Sequence, residues 1–330
     1  MTISFLYAYA EKVLSGQDIT PEEAAELINL SDADTPLLLA LADKIRQQFH
    51  DNTVNCCAII NGRSGSCSED CRFCAQSSHY HTHIRSYPLL DSAAILTAAK
   101  RAKESGAARF SIVTSGRSVR EGTEFTAILR MISAIRDTVG MEACCSLGLI
   151  TARQARALAH VGLSHYHANI ETAPSYFPQI CSTHTMDDKI RLIRTVQDAG
   201  LSVCSGGILG LGESRQQRVE MAFALKKWNI RSIPLNILTP IPGTPLAHMP
   251  ALAPLEILRA FAVFRFILPH AMLRTAGGRE ASLRSLQALA LTGGMNGLMI
   301  GGYLTTSGNA PSADMTMLRD LGKQPAAPSV

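Results

Sequence analysis

The chain has no run of ~18 uninterrupted apolar residues, no low-complexity stretch and no Gly/Ser-rich linker in its 330 residues. The first absence predicts that nothing spans a membrane, and the other two that no hinge divides the chain. The opening segment Met1-Thr2-Ile3-Ser4-Phe5-Leu6 lacks a basic n-region and reaches Glu11-Lys12 within a few residues. No secretory signal is expected from it, and the compartment read from sequence is the reducing cytoplasm. A strong charge of one sign is also missing. The 31 basic and 27 acidic residues leave +4, too even a balance to imply nucleic acid or an anionic membrane as partner. An odd count of nine cysteines in so long a chain argues against a disulfide framework.

Three of the cysteines stand in Cys67-Ser68-Glu69-Asp70-Cys71-Arg72-Phe73-Cys74, a C-x3-C-x2-C spacing, and the next cysteine is Cys144. Three thiolates in such a run can hold three corners of a cubane iron–sulfur cluster and leave the fourth iron without a protein ligand. An open position is what a metal centre needs if it is to bind and activate a small molecule. The spacing resembles the signature of the radical S-adenosylmethionine enzymes, whose cofactor chelates the open iron through its amino and carboxylate groups. A zinc site completed by His79, His81 or His83 is the competing assignment. Structural zinc usually draws its ligands from two separate knuckles rather than one run.

A hydrophobic content of 46% is ample for one well-buried core. Residues 1–50 read as a helical extension, in which Thr20-Pro21-Glu22-Glu23 is a capping box with proline at the first helical position. Short apolar runs then recur with room for a helix between them. They are Val54–Ile60, Arg109–Val113, Glu142–Leu147, His165–Ile170, Ser202–Ile208, Ser232–Ile237, Ala271–Thr275 and Gly297–Ile300. Helical patterns between them include Ala93–Glu104, Phe125–Val139, Asp187–Ala199 and Leu255–Ile267. This alternation predicts an α/β chain with a parallel sheet, closed as a (β/α)8 TIM-type barrel over residues 51–322. Residues 323–330 read as a flexible tail. A doubly wound open sheet is the alternative, because pattern alone does not show closure. The cysteine loop follows the first strand, where the active face of a barrel lies.

Six cysteines remain, and five fall on proposed strands: Cys56 and Cys57, Cys144 and Cys145, and Cys204. Cys181 does not. Buried free cysteines commonly act as small hydrophobes. Inward side chains of a barrel come in layers from alternate strands, however. One cysteine each from strands 1, 3 and 5, with Arg274 from strand 7, could meet in one layer as a second metal site.

Five blocks carry a closer resemblance. They are Asn61–Ser77, Tyr166–Thr172, Val203–Glu213, Leu273–Glu280 and Gly302–Thr306, in register from about residue 50 to residue 322. Together they are similar to the biotin synthase family. The resemblance implies a (β/α)8 barrel that inserts sulfur into dethiobiotin by radical chemistry from S-adenosylmethionine. By resemblance Cys67, Cys71 and Cys74 ligate a 4Fe-4S cluster, and Phe73, Asn169, Glu171, Ile208 and Glu213 contact the cofactor. Asn169, Asn236, Thr305 and Thr306 match substrate-binding positions. Cys144, Cys204 and Arg274 match ligands of an auxiliary iron–sulfur cluster that donates the sulfur. The family's usual strand 2 cysteine falls at Ser111, and Cys57 on strand 1 offers a thiolate in its place. Glu171 stands where aspartate is usual, and His167 where asparagine is usual. A homodimer and a flavodoxin or ferredoxin electron donor are also implied. Hydrogenase maturases and amino-acid mutases of the same superfamily are the alternative, and they lack the Cys144, Cys204 and Arg274 set.

Overall fold

The computed structural model describes residues 3–327. Three helices come first: α1 (Ser4–Leu14), α2 (Pro21–Ile28) and α3 (Thr35–Phe49). α2 begins at the expected capping box. Thr20 Oγ1 accepts from the Glu23 amide, and the Glu23 carboxylate accepts from the Thr20 amide at 2.7 Å.

Strands and helices then alternate. The first half holds β1 (Thr53–Arg63), α4 (Ser92–Glu104), β2 (Arg109–Thr114), α5 (Thr123–Ala134), β3 (Glu142–Ser146), α6 (Ala152–His160), β4 (His165–His167) and α7 (Met186–Asp198). The second half adds β5 (Ser202–Cys204), β6 (Gly207–Leu209), α8 (Arg215–Lys227), β7 (Ser232–Ile237), α9 (Pro254–Ile267) and β8 (Met272–Thr275). It ends with α10 (Arg279–Leu283), α11 (Gln287–Leu291), β9 (Gly297–Met299), α12 (Pro311–Asp320) and β10 (Gln324–Pro325).

All neighbouring strands are parallel, in the order β1-β2-β3-β4-β5-β7-β8-β9. Asn55, Cys56 and Cys57 of β1 pair with Gly297, Leu298 and Met299 of β9. That last pairing closes the sheet into a (β/α)8 barrel and removes the open-sheet alternative. β7 is buried at all six positions because helices cover one face and the barrel core the other. α9 is buried from Ile257 to Ile267, since the N-terminal helices pack over its outer side. Arg259 within it donates from Nε to Thr35 Oγ1 at 3.0 Å.

Three local expectations are corrected. The fifth strand is not continuous from Ser202 to Ile208: it breaks at Ser205-Gly206 and resumes as β6, which pairs with β7. At Gly206 the chain comes so close to β7 that an added Cβ would lie 1.9 Å from the Pro234 carbonyl oxygen. The helix expected over Phe125–Val139 leaves α geometry at Ala134 and finishes as a π turn, Ile135–Val139. The segment from residue 323 is not simply a tail, because Gln324 and Pro325 pair with Thr53 and Val54 of β1. Residues 328–330 of that expected tail lie outside the described residues.

Candidate active site

A cavity of about 320 Å³ opens where the strands deliver their carboxyl ends, a volume within the range of small-molecule sites. β1 ends at Arg63, and the cysteine loop that follows forms one wall. The loop is folded back on itself. The Gly65 amide donates to Gln76 Oε1 at 3.2 Å, the Cys67 amide to the Gln76 carbonyl at 2.9 Å, and the Ser78 amide to the Cys67 carbonyl at 2.7 Å. Cys67, Cys71 and Cys74 all line the cavity, but their sulfurs do not meet at one point. Among the described residues, the group whose ligating atoms lie within 4.8 Å of one another is Cys71, Cys181 and His184. Three soft donors spread around a volume suit a multinuclear cluster better than a single ion. The zinc alternative with His79, His81 or His83 shows no such convergence among the described residues.

The opposite wall comes from the ends of β4 and β5. Asn169 Oδ1 accepts from the Gly206 amide at 3.1 Å, and the Glu171 carbonyl accepts from the Ile208 amide at 2.8 Å. Glu171 takes a left-handed conformation, φ 67°. That turn re-aims the chain toward the cavity, a conformation a non-glycine residue adopts at a cost. Its carboxyl is pushed upward by burial, against the pull of Lys189. Phe73, Asn169, Glu171 and Ile208 face the cavity. Glu213, expected beside the cofactor, is not in its wall. Glu213 Oε1 instead accepts from the Gly210 amide at 2.9 Å and from Arg218 Nε at 2.6 Å. It braces the turn that carries Ile208 and Leu209.

Asn236 of β7 reaches across this wall. Its Oδ1 accepts from the Gly277 amide at 3.0 Å, and its Nδ2 donates to the Gly207 carbonyl at 3.3 Å. A primary amide has further donor and acceptor capacity beyond those two bonds, and Asn236 lines the cavity. Thr305 and Thr306 close the rim, in a turn where the Thr306 amide donates to the Tyr303 carbonyl at 2.7 Å. Tyr303 packs on Gly277, where a side chain would meet the ring 2.8 Å away.

A second, smaller cavity lies deeper in the barrel. Cys57, Ser111, Cys144, Cys204 and Arg274 line it, with His165, His167 and Ser232. Strand register produces this meeting: Ser111 of β2 is paired with Cys144 of β3, and His167 of β4 with Cys204 of β5. Two of its polar groups, Ser111 Oγ and Arg274 Nε, are buried without a hydrogen-bond partner. Orphans of this kind mark a space built for a further group. Its electrostatics favour anionic sulfur at Cys204. Burial disfavours a charge on Cys204, yet His167 and Arg274 outweigh it and hold that thiol below its usual range. The Cys57 thiol, with burial dominant, stays above it. Three thiols, a guanidinium and two unpaired polar atoms fit an iron–sulfur group in donor type.

Sequence reasoning did not place Cys181 and His184 beside the cysteine loop. They sit in the connection between β4 and α7, tied down by the two acidic residues of that loop. Asp70 Oδ1 accepts from the amides of Ser182 at 2.9 Å and Thr183 at 3.2 Å. Glu69 Oε2 lies 2.6 Å from His184 Nδ1 and 3.2 Å from Arg117 Nη1. The pattern Cys181-Ser182-Thr183-His184, just before the capping threonine of α7, was the available signal.

Residues 63–225 match the Radical SAM superfamily, and residues 234–324 match the Biotin and Thiamin Synthesis associated domain. A biotin synthase of Desulforudis audaxviator is 49% identical over 314 residues, covering 95% of this chain and 95% of the relative. A biotin synthase of Pelotomaculum thermopropionicum is 48% identical over 311 residues, covering 94% of this chain and 97% of the relative. A crystal structure of methylornithine synthase superposes with TM-score 0.83 over 96% of this chain and 97% of that one. At 18% identity that likeness speaks for the fold alone. Sequence kinship along nearly the whole chain, a closed parallel barrel and a thiol-lined cavity at its carboxyl end lead to one assignment: the chain belongs to the biotin synthase family and is a radical S-adenosylmethionine enzyme.

Proposed function

We propose that Cys67, Cys71 and Cys74 ligate the catalytic 4Fe-4S cluster, and that Cys57, Cys144, Cys204 and Arg274 hold the auxiliary cluster. Phe73, Asn169, Glu171 and Ile208 then form the S-adenosylmethionine side of the larger cavity. Asn169, Asn236, Thr305 and Thr306 form the dethiobiotin side. The observation that most supports this reading is a shared wall: Cys57, His167 and Arg274 line both cavities. A substrate in the upper cavity therefore lies next to the sulfur-bearing space below it.

When bound, the clusters and S-adenosylmethionine supply homolytic cleavage of unactivated C–H bonds and the sulfur that replaces the hydrogen atoms. The chain's own residues bind, orient and seal. Asn236, held by Gly207 and Gly277, offers an amide face that matches a neutral urea with donor and acceptor together. The half-buried carboxyl of Glu171 accepts hydroxyl hydrogen bonds from a ribose, and Tyr303 with the Thr305-Thr306 turn closes the rim against water. His167 lines both cavities, where its charge favours the thiolate form of Cys204.

No helix among the described residues is long and apolar enough to cross a membrane. We infer a cytoplasmic enzyme, a homodimer, with a flavodoxin or ferredoxin as electron donor. Residues 51–322 serve as the catalytic body and residues 1–50 as its helical brace. Anaerobic incubation of the cluster-loaded chain with dethiobiotin, S-adenosylmethionine and a reductant tests the reading. Biotin, methionine and deoxyadenosine are expected; deoxyadenosine with dethiobiotin left intact would reject it.

A further inference from the structure

Cys181 is buried, yet its surroundings are not those of a thiol used as a small hydrophobe. Its sulfur stands 3.8 Å from Cys71 Sγ, 3.2 Å from His184 Nδ1 and 3.1 Å from Asp70 Oδ1. Two thiolates bound about 2.3 Å from one tetrahedral zinc ion stand about 3.8 Å apart, the separation found between Cys71 and Cys181. An imidazole nitrogen on the same ion falls about 3.5 Å from each sulfur, against 3.2 Å here. The donor atoms thus already stand close to single-ion spacing.

The donors are also preorganised. The Arg72 amide donates to the Ile180 carbonyl at 3.0 Å, and Asp70 takes the amides of Ser182 and Thr183. Glu69 holds the His184 ring through Nδ1, while His184 Nε2 is buried without a partner. Nδ1 is the nitrogen that faces Cys181, so a bound ion takes it over from Glu69 Oε2, and that carboxylate stays beside the ion as a neighbouring anion. Two thiolates and an imidazole select zinc, cobalt or ferrous iron over magnesium or calcium.

We propose that Cys71, Cys181 and His184 form a mononuclear site for a thiophilic divalent cation in the cluster-free chain, and that this cation and the catalytic cluster compete for Cys71. The site itself stands on the geometry above; only the competition rests on the reading of Cys71 as a cluster ligand. Cys71 cannot serve both centres with one sulfur, so a chain loaded with zinc at this site is closed to the cluster until the ion leaves.

Cobalt(II) alone is the probe, added anaerobically to reduced, cluster-free full-length chain carrying Cys67→Ser and Cys74→Ser. These changes remove the other two thiols of the loop and leave Cys71. The expected result is an intense sulfur-to-cobalt charge-transfer band with tetrahedral d–d bands. Adding Cys181→Ala should remove one equivalent of bound cobalt. Circular dichroism of each variant reports whether it is folded. A folded double variant without the charge-transfer band overturns the site, as does cobalt binding that ignores Cys181→Ala. Competition is read separately in the unsubstituted chain. Zinc added first should slow reconstitution of the catalytic cluster, and Cys181→Ala should abolish the delay. No delay with zinc bound at the site overturns the competition and leaves the site standing. Cofactor cleavage that survives Cys71→Ala counts instead against the cluster assignment, whatever cobalt does.

Discussion

Asp70, one residue before Cys71, accepts the backbone amide of Ser182 at 2.9 Å across 112 residues of chain. Its carboxyl is partly desolvated, which alone would raise its pKa, but bonds from Ser182, Cys181 and Thr183 hold it well below the usual carboxylate range. The bond ties the cysteine loop to the connection before α7. Asp70→Ala loses this tie and the bond from the Cys181 thiol while removing no cysteine. Hydrogen bonds to a charged group contribute about 1.5–3 kcal/mol each, so the variant should lose iron to a chelator several-fold faster. Iron content followed over time checks this, and an unchanged loss rate would show that the tie does not hold the loop.

Ser111 and Cys57 line the same deep cavity, and soft iron prefers the thiolate. Cys57→Ala is expected to lose the iron and sulfide beyond the catalytic cluster, to make no biotin, and to keep cofactor cleavage. Ser111→Ala should keep the auxiliary cluster, because its hydroxyl is not needed as a ligand. Iron and sulfide analysis of the two variants decides between them. Full iron content in Cys57→Ala would shift the assignment to Ser111 or another donor.

Asn236 holds Gly277 and Gly207 as well as facing the cavity. Leaving buried partners unpaired costs about 1–3 kcal/mol, roughly 5- to 150-fold in affinity at 25 °C. Asn236→Ala should weaken dethiobiotin binding on that scale while cofactor cleavage without substrate persists. Calorimetric titration with dethiobiotin measures it, and an unchanged affinity would remove Asn236 from the substrate site.

Far from the cavity, His50 Nε2 lies 3.0 Å from Arg265 Nη1 and 3.0 Å from the Pro269 carbonyl. Burial first, then the Arg265 charge, push its pKa down to about 4. An unfolded histidine titrates near ~6.5, so between these values the unfolded chain binds the proton that the folded chain excludes. The contribution to stability is fully present above pH ~6.5 and is lost as pH falls toward ~4. Urea midpoints measured across that window should fall more steeply in the native chain than in His50→Gln, by about one proton. Equal slopes would contradict a neutral His50 in the folded chain.

The barrel was legible because its signals are periodic: apolar runs for strands buried on both faces, separated by helical patterns. Closure was not legible, since it depends on the pairing of Asn55 with Gly297, about 240 residues apart. The Cys67, Cys71 and Cys74 run was legible because its spacing is local. That one cysteine each from strands 1, 3 and 5 could meet Arg274 followed from strand parity once a barrel was assumed, while the choice of Cys57, Cys144 and Cys204 came from the resemblance. Glu213 was placed beside the cofactor by the resemblance, and the turn at Gly210 and Gly212 carries it away from the cavity. Cys181 and His184 were passed over because their partners, Glu69, Asp70 and Cys71, lie more than a hundred residues away, and only the folded loops bring them together.

The central claim is that Cys67, Cys71 and Cys74 hold the centre that cleaves S-adenosylmethionine. Deoxyadenosine release by Cys71→Ala, measured anaerobically with excess reductant in the presence and absence of dethiobiotin, tests it most directly. The account predicts none above the cluster-free background in either condition. Deoxyadenosine at a rate comparable to the unsubstituted enzyme would contradict it.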